Sequence, residues 1–168
     1  MLIPKIAEVK NSWLYQQVDV QFPTKESLKG LDLYKQAVAT RQYAPFNDTN
    51  KADLAFDTDD IFLVDFHRLT VMFALIQSSQ WTNEVDQEMI VEFLTQIIYS
   101  EPCSLYLGFS SGEPVAAAIV TQHEETLLIS DVAIKNSEQL TSPDDFAQSL
   151  LVKLRPQLTS DIEIIIEK

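Results

Sequence analysis

The chain has 168 residues, of which 46% are apolar, and this is enough for one domain with a sizeable core spanning residues 1–168. Its 25 acidic residues against 12 basic ones give a net charge of −13, which argues against nucleic acid and anionic membranes as partners. The N-terminus lacks the uninterrupted apolar core of a secretory signal, and no apolar run is long enough to cross a bilayer. We therefore expect a cytoplasmic protein, whose negative surface either maintains solubility or suits a basic partner.

The N-terminal half predicts one strand followed by three helices. Apolar residues alternate with polar ones in residues 13–22, which favours a half-buried strand. Thr24 is a candidate cap for a first amphipathic helix, and polar, turn-rich residues 47–57 predict an exposed connection. A helix that is apolar nearly all round, and therefore largely buried, is expected from Thr58. Asn83 opens a third helix with one continuous apolar stripe, and the short join before it predicts an antiparallel helix pair.

The C-terminal half predicts strands, because short apolar runs are separated by turn residues. The expected elements are strands at 104–109, 114–122 and 126–134, a helix at 144–154 and a buried strand at 161–167. The predicted fold class is α+β, with an N-terminal strand and three helices, then an antiparallel strand meander, a helix and a final strand.

The segment LYLGFSSGEPVAAAIVTQHEETLLISDVAI, followed by the predicted helix and strand, resembles the central part of the GCN5-related N-acetyltransferase superfamily. Gly112-Glu113-Pro114-Val115-Ala116-Ala117 stands in the place of the family's GxxVG pattern, and Asp131-Val132-Ala133-Ile134 in the place of its DxAV pattern. The likeness is one of pattern and covers the C-terminal part of the chain. It implies an acyl-CoA N-acyltransferase-like fold, acetyl-CoA as a possible cofactor, and a small amine as the acceptor.

The resemblance also implies where a cofactor and a base would lie. The pantetheine arm of acetyl-CoA would pair as an extra strand along Asp131, Val132, Ala133, Ile134 and Lys135. Asp131 or Glu125 would deprotonate the amine. Considered without the resemblance, Asp131 is expected to be a polar residue on the outward face of its strand.

The helix start departs from the family pattern. In the family, the diphosphate sits on this helix N-terminus in a glycine-containing loop, whereas residues 135–142 contain no glycine and the helix begins Pro143-Asp144-Asp145. The two aspartates already complement the helix dipole and would repel a diphosphate. Family members usually continue with another helix and two strands that build the acceptor side. The resemblance implies that the N-terminal helices or a second subunit would replace this wall.

Other candidate sites give weaker signals. Asp65, His67 and Arg68 form the nearest approach to a catalytic group, but His67 is rotated away from Asp65 on a helix. His123 lies beside two glutamates and is expected in an exposed turn, and Cys103 is expected to be a small buried residue. Neither paired cysteines nor a His-x-x-x-His motif occurs, so no metal site is predicted.

Two functions remain open from the sequence. The first is a divergent acetyltransferase-like domain whose acyl-CoA binding and N-acyl transfer are weak or lost. The alternative is a non-catalytic acidic interaction module that docks a basic protein, motivated by the net charge of −13.

Overall fold

The structure, a computed structural model, describes residues 3–47, 54–135 and 142–168. Within these residues the protein is α+β, with five helices and a mixed six-stranded sheet. The helices are α1 (Lys5–Tyr15), α2 (Lys25–Val38), α3 (His67–Ser78), α4 (Glu84–Leu94) and α5 (Pro143–Leu154). The strands are β1 (Tyr43–Pro45), β2 (Ile61–Leu63), β3 (Cys103–Ser110), β4 (Glu113–His123), β5 (Thr126–Ile134) and β6 (Glu163–Glu167).

The sheet has the strand order β1-β6-β5-β4-β3-β2. The predicted meander is confirmed as the antiparallel strands β3, β4 and β5. Ser111 and Gly112 turn the chain from β3 into β4 with φ angles of 52° and 80°, the left-handed conformation that a two-residue hairpin turn requires. β6 then pairs in parallel with β5, and β1 pairs antiparallel with β6.

Helices cover both faces of the sheet. On one face, Phe146 and Leu150 of α5 pack with buried sheet residues such as Ile129. On the other face, α1, α3 and α4 contribute to a second core that contains Phe73 and Phe93. The α2 and α4 helices contact each other closely at Gly30, where a Cβ atom would lie 2.1 Å from the carbonyl oxygen of Met89.

Two predictions in the N-terminal half are wrong. Residues 13–22 do not form a strand, because the chain continues from α1 through a 3-10 turn into a bend, and Phe22 is 84% exposed. The predicted helix from Thr58 begins only at His67, since Ile61–Leu63 pair with β3 instead. The predicted connection at 47–57 falls partly outside the described residues.

The elements with clear capping signals are confirmed. Thr24 Oγ1 accepts the Ser27 amide at 3.0 Å at the start of α2, and Asn83 caps α4 through the amides of Val85 and Asp86. The α3 and α4 helices contact each other as the predicted pair. The described part of the chain has no helix that is both long and apolar enough to span a membrane.

Candidate functional site

Asp131 occupies a bulge in the middle of the sheet. Two residues of β5, Asp131 and Val132, oppose the single residue Ala118 of β4. Asp131 has a φ of 54°, in the left-handed region that Asp enters more readily than most residues. It is only 3% exposed, so the expectation of an outward-facing residue is wrong. The bulge instead places its carboxylate in the interior.

Four charged residues and a tyrosine meet at this bulge and form what we call the ionic cluster: Lys10, Tyr34, Arg41, Asp131 and Glu167. Arg41 Nη1 lies 2.6 Å from an oxygen of Asp131 and 2.6 Å from an oxygen of Glu167. Lys10 Nζ lies 3.1 Å from Asp131 Oδ2 and 3.5 Å from Glu167 Oε2. Lys10 Nζ donates to Tyr34 Oη at 2.7 Å, and this hydroxyl donates to Asp131 Oδ1 at 2.6 Å. Two cations thus balance two carboxylates.

Further hydrogen bonds satisfy the polar atoms around the ionic cluster. Tyr43 of β1 donates to Glu167 Oε2 at 2.9 Å, and Ser130 donates to Asp131 Oδ2 at 2.7 Å. The Asp131 amide donates to Glu167 Oε1 at 3.1 Å, while Gln77 of α3 donates to the Asp131 carbonyl at 2.5 Å. The ionic cluster therefore joins α1, α2, α3, β1, β5 and β6 at one point.

This pairing shifts the acid–base properties of the cluster. Burial alone would raise the pKa of Asp131, but Lys10 and Arg41, with hydrogen bonds from Tyr34 and Arg41, hold it well below its ordinary value. Burial would lower the pKa of Lys10, yet Asp131 and Glu167 together keep it above its ordinary value. Burial and the charge of Asp131 raise the pKa of Tyr34. At neutral pH, Asp131 is therefore a paired carboxylate and a weak base.

A cavity of about 410 Å³ opens beside the ionic cluster, and we call it the β5–β6 cavity. It is lined by Arg41 and Glu167, by Val132 of β5, and by Pro143 and Asp144 at the start of α5. The parallel pairing of β5 with β6 ends at Ile129 and Ile166. Within the described residues, no strand pairs with the next part of β5 on this side, and Asp131 and Val132 of this part line the cavity.

The start of α5 supplies negative charge to the cavity wall. Pro143 is the first helical residue, and the Ser142 amide donates to the Asp145 carboxylate at 3.3 Å, as a capping box requires. Asp144 is exposed and lies 3.6 Å from Lys168 Nζ. The expectation that this helix start is already satisfied agrees with these contacts. The loop at 136–141, which carried part of that expectation, lies outside the described residues.

The remaining candidate residues do not converge on the cavity. Glu125 is exposed in the turn before β5, six residues from Asp131, or about 20 Å along an extended strand. Ala133 is buried and Lys135 is exposed just after β5. Asp65, His67 and Arg68 are all exposed near the start of α3, so the expected burial of this group is wrong.

The histidine and the cysteine do not line the β5–β6 cavity. His123 is the half-buried last residue of β4, and its Nε2 lies 3.7 Å from Glu124 in the β4–β5 turn. The described residues contain no group of three potential metal ligands. Burial raises the pKa of Cys103 to about 11, although a hydrogen bond with Thr121 lowers it in part. A thiol with this pKa is almost entirely protonated at neutral pH, which fits a structural residue.

Sequence reasoning missed most of the ionic cluster. Lys10 is the one member with a usable local signal, because it shares a helical face with the buried residues Ile6 and Trp13. A lysine at such a position requires a buried partner. Arg41 follows the end of α2 and Glu167 is the last residue of β6, and neither carries a comparable signal.

The described residues form an α+β fold in which β6 pairs in parallel with β5, the last strand of the antiparallel meander. No protein-family model and no curated protein matches the sequence. A similar solved structure is described as the crystal structure of a functionally unknown conserved protein from Staphylococcus epidermidis ATCC 12228. It has a TM-score of 0.50 and 10% sequence identity, with 92% of this chain and 77% of that chain covered. At this identity, the likeness concerns the fold alone.

Proposed function

We propose that the protein is a divergent acetyltransferase-like domain, in which the β5–β6 cavity takes the pantetheine arm of an acyl-CoA and N-acyl transfer is weak or lost. The observation that carries this proposal is the part of β5 beyond Ile129, which pairs with no described strand on the β6 side and adjoins a cavity of about 410 Å³. Side chains hold part of this edge at present, because Glu167 and Gln77 bond the Asp131 backbone and Gln80 Nε2 lies 3.4 Å from the Val132 carbonyl, so an arm that pairs here would displace them. Amide and carbonyl groups along such an edge can pair with an extended amide-containing chain as they would with another strand. The pantetheine arm contains two amides and has this shape.

The charges around the cavity favour weak binding of the nucleotide part. Asp144 lines the cavity and Asp145 already accepts from the Ser142 amide, so a diphosphate at this helix start meets two carboxylates. Arg41 and Lys168 also line the cavity, but Arg41 Nη1 is shared between two buried carboxylates and Lys168 Nζ lies 3.6 Å from Asp144. We therefore expect the arm to contribute more of the affinity than the diphosphate.

The ionic cluster explains why transfer would be weak. A general base works best with a pKa near the operating pH. The pKa of Asp131 is far below neutrality because it is paired with Lys10 and Arg41, and its oxygens already accept hydrogen bonds. Glu125 lies at the opposite end of β5. Neither candidate base is therefore suited to deprotonate an amine in the cavity.

The test is a titration of acetyl-CoA and of pantetheine, followed by calorimetry and by amide chemical shifts. We expect weak binding of both ligands, with the largest shifts in Val132 and Ile134. Asp144→Asn should tighten acetyl-CoA several-fold and leave pantetheine unchanged, because only the former carries a diphosphate. Asp161→Asn, an exposed aspartate in the turn before β6, removes the same charge elsewhere and is the control. Absence of binding at millimolar ligand in both the wild type and Asp144→Asn would refute the proposal.

A second candidate function is the acidic interaction module that docks a basic protein. A specific surface favours it, namely an acidic groove of about 530 Å³ that is lined by residues of α2, α3 and α4.

A further inference from the structure

The outer surface of α4 forms a groove with the N-terminus of α2 and the second half of α3. We call it the α4 groove and define it by Glu26, Leu75, Glu84, Glu88, Val91 and Glu92. The α4 groove is lined by residues of α2, α3 and α4, whereas the β5–β6 cavity includes residues of the sheet. The two share no lining residue. The groove thus belongs to a different part of the molecule from the proposed acyl-CoA cavity.

Three glutamates of the α4 groove form a column along α4. Glu84, Glu88 and Glu92 are spaced four residues apart, so they project from one side of the helix over about 12 Å. All three are exposed, as is Glu26 across the groove. Within the described part of the chain, none of these carboxylates lies within 4.0 Å of a lysine or arginine nitrogen. Like charges at this spacing destabilise an isolated helix, so the column costs stability in the unbound protein.

Apolar side chains also line the α4 groove. Leu75 of α3 is 55% exposed, and Met89 and Val91 of α4 are partly exposed in the same groove. A groove that presents apolar side chains among acidic ones is a surface on which an amphipathic helix docks with its apolar face inward. The sign of the rim charge then selects the sign of the partner.

We propose that the α4 groove docks a basic amphipathic helix from a partner protein, with Lys or Arg at four-residue spacing against Glu84, Glu88 and Glu92. An apolar side chain of that helix would cover Leu75. Charge complementarity selects this occupant, because a second copy of a chain with a net charge of −13 would bring further acidic residues to the groove. This inference deepens the second candidate function, and it does not depend on acyl-CoA binding.

The probe is a synthetic helical peptide with lysines at i, i+4 and i+8 and leucines at i+3 and i+7. Its control carries glutamine in place of each lysine. Binding is followed by amide chemical shifts of the full chain at low and at physiological salt. We expect the lysine peptide to shift the amides of α4 and the second half of α3, with affinity that falls as salt rises.

The matched protein variants separate this site from general charge attraction. Glu84→Gln/Glu88→Gln/Glu92→Gln should weaken the lysine peptide by about tenfold, the expected sum of three rim ion pairs. The control, Glu8→Gln/Glu101→Gln/Glu113→Gln, replaces three exposed glutamates outside the groove and should change affinity less than twofold. Both variants reduce the net charge from −13 by the same three units. Leu75→Asn should weaken binding at both salt concentrations, because it removes the apolar contact.

Several results would overturn the proposal. These are equal binding of the lysine peptide to both triple variants, equal binding of the glutamine peptide to the wild type, and chemical shifts located away from the α4 groove. The absence of any binding at low salt would do the same, as would a concentration-dependent dimer that the Glu84/Glu88/Glu92 variant abolishes. Since acetyl-CoA is absent throughout, none of these results bears on the β5–β6 cavity.

Discussion

Replacement of Lys10 by methionine tests whether the ionic cluster holds the molecule together. Lys10 is fully buried and its Nζ contacts Tyr34, Asp131 and Glu167. The variant keeps an unbranched side chain that is one atom shorter, but it leaves Arg41 alone to balance two buried carboxylates. Removing one partner of a buried ion pair costs about 3–5 kcal/mol, which is a large share of the roughly 5–15 kcal/mol by which a typical domain is stable.

The assay is urea unfolding followed by tryptophan fluorescence. With a slope of about 2 kcal/mol/M, the expected loss moves the unfolding midpoint by about 1.5–2.5 M. Lys5→Met is the control, because Lys5 is exposed and lies 3.8 Å from Glu124, an arrangement worth about 0–1 kcal/mol. The double variant Lys10→Met/Glu167→Gln removes one charge of each sign and should lose less than the sum of the two single variants. A loss below about 1 kcal/mol in Lys10→Met would refute the assignment of the cluster as a stabilising hub.

The same variant changes the pH dependence of stability. In the wild type, the pKa of Asp131 is lowered on folding, so its ionised form stabilises the protein above the unfolded-state pKa of about 3.9. This contribution is lost as the pH falls toward the folded-state pKa. Without Lys10, the folded-state pKa of Asp131 rises, and acid unfolding should begin at a higher pH than in the wild type. Identical acid-unfolding midpoints would show that Lys10 does not set the pKa of Asp131.

Three further predictions concern single positions. Gly30→Ala should lower the unfolding free energy by about 1–2 kcal/mol, because the clash with the Met89 backbone outweighs the gain of about 1 kcal/mol in helix propensity. If urea unfolding showed a stabilised variant instead, the close α2–α4 contact would be contradicted. Asn83→Ala should cost about 1 kcal/mol of stability in the same assay through loss of the α4 cap, and an unchanged midpoint would speak against that cap. Cys103 should resist iodoacetamide at pH 8 in the native protein and react once the protein is unfolded, because burial raises the pKa of the thiol to about 11. Rapid labelling of Cys103 in the native protein would count against its burial.

The regular elements that the sequence predicted are those with local signals. The α4 helix has a capping asparagine and an apolar stripe, and the meander has short apolar runs broken by turn residues such as Gly112. These signals depend on the conformational preferences of neighbouring residues, so no tertiary information is needed to read them. The same holds for Pro143 at the start of α5.

The errors occur where tertiary contacts override the local pattern. Residues 13–22 alternate as a strand would, but Val20 and Phe22 are 53% and 84% exposed and face no core. Residues 61–63 belong to an apolar run that suggests a helix, yet pairing with β3 makes them a strand. Periodicity identifies a face of an element only when that face is buried by a neighbour.

The sequence by itself determined an α+β domain with a meander, a well-capped α5 and a final buried strand. Only the tertiary structure decided that Asp131 is buried and that Lys10 and Arg41 pair with both Asp131 and Glu167. These residues are up to 157 positions apart in the chain, as the difference between 167 and 10 gives, and the contacts form only when α1, β5 and β6 are packed together. The physical reason is that capping and turn formation act between near neighbours, whereas charge pairing in the interior depends on which distant elements exclude water together.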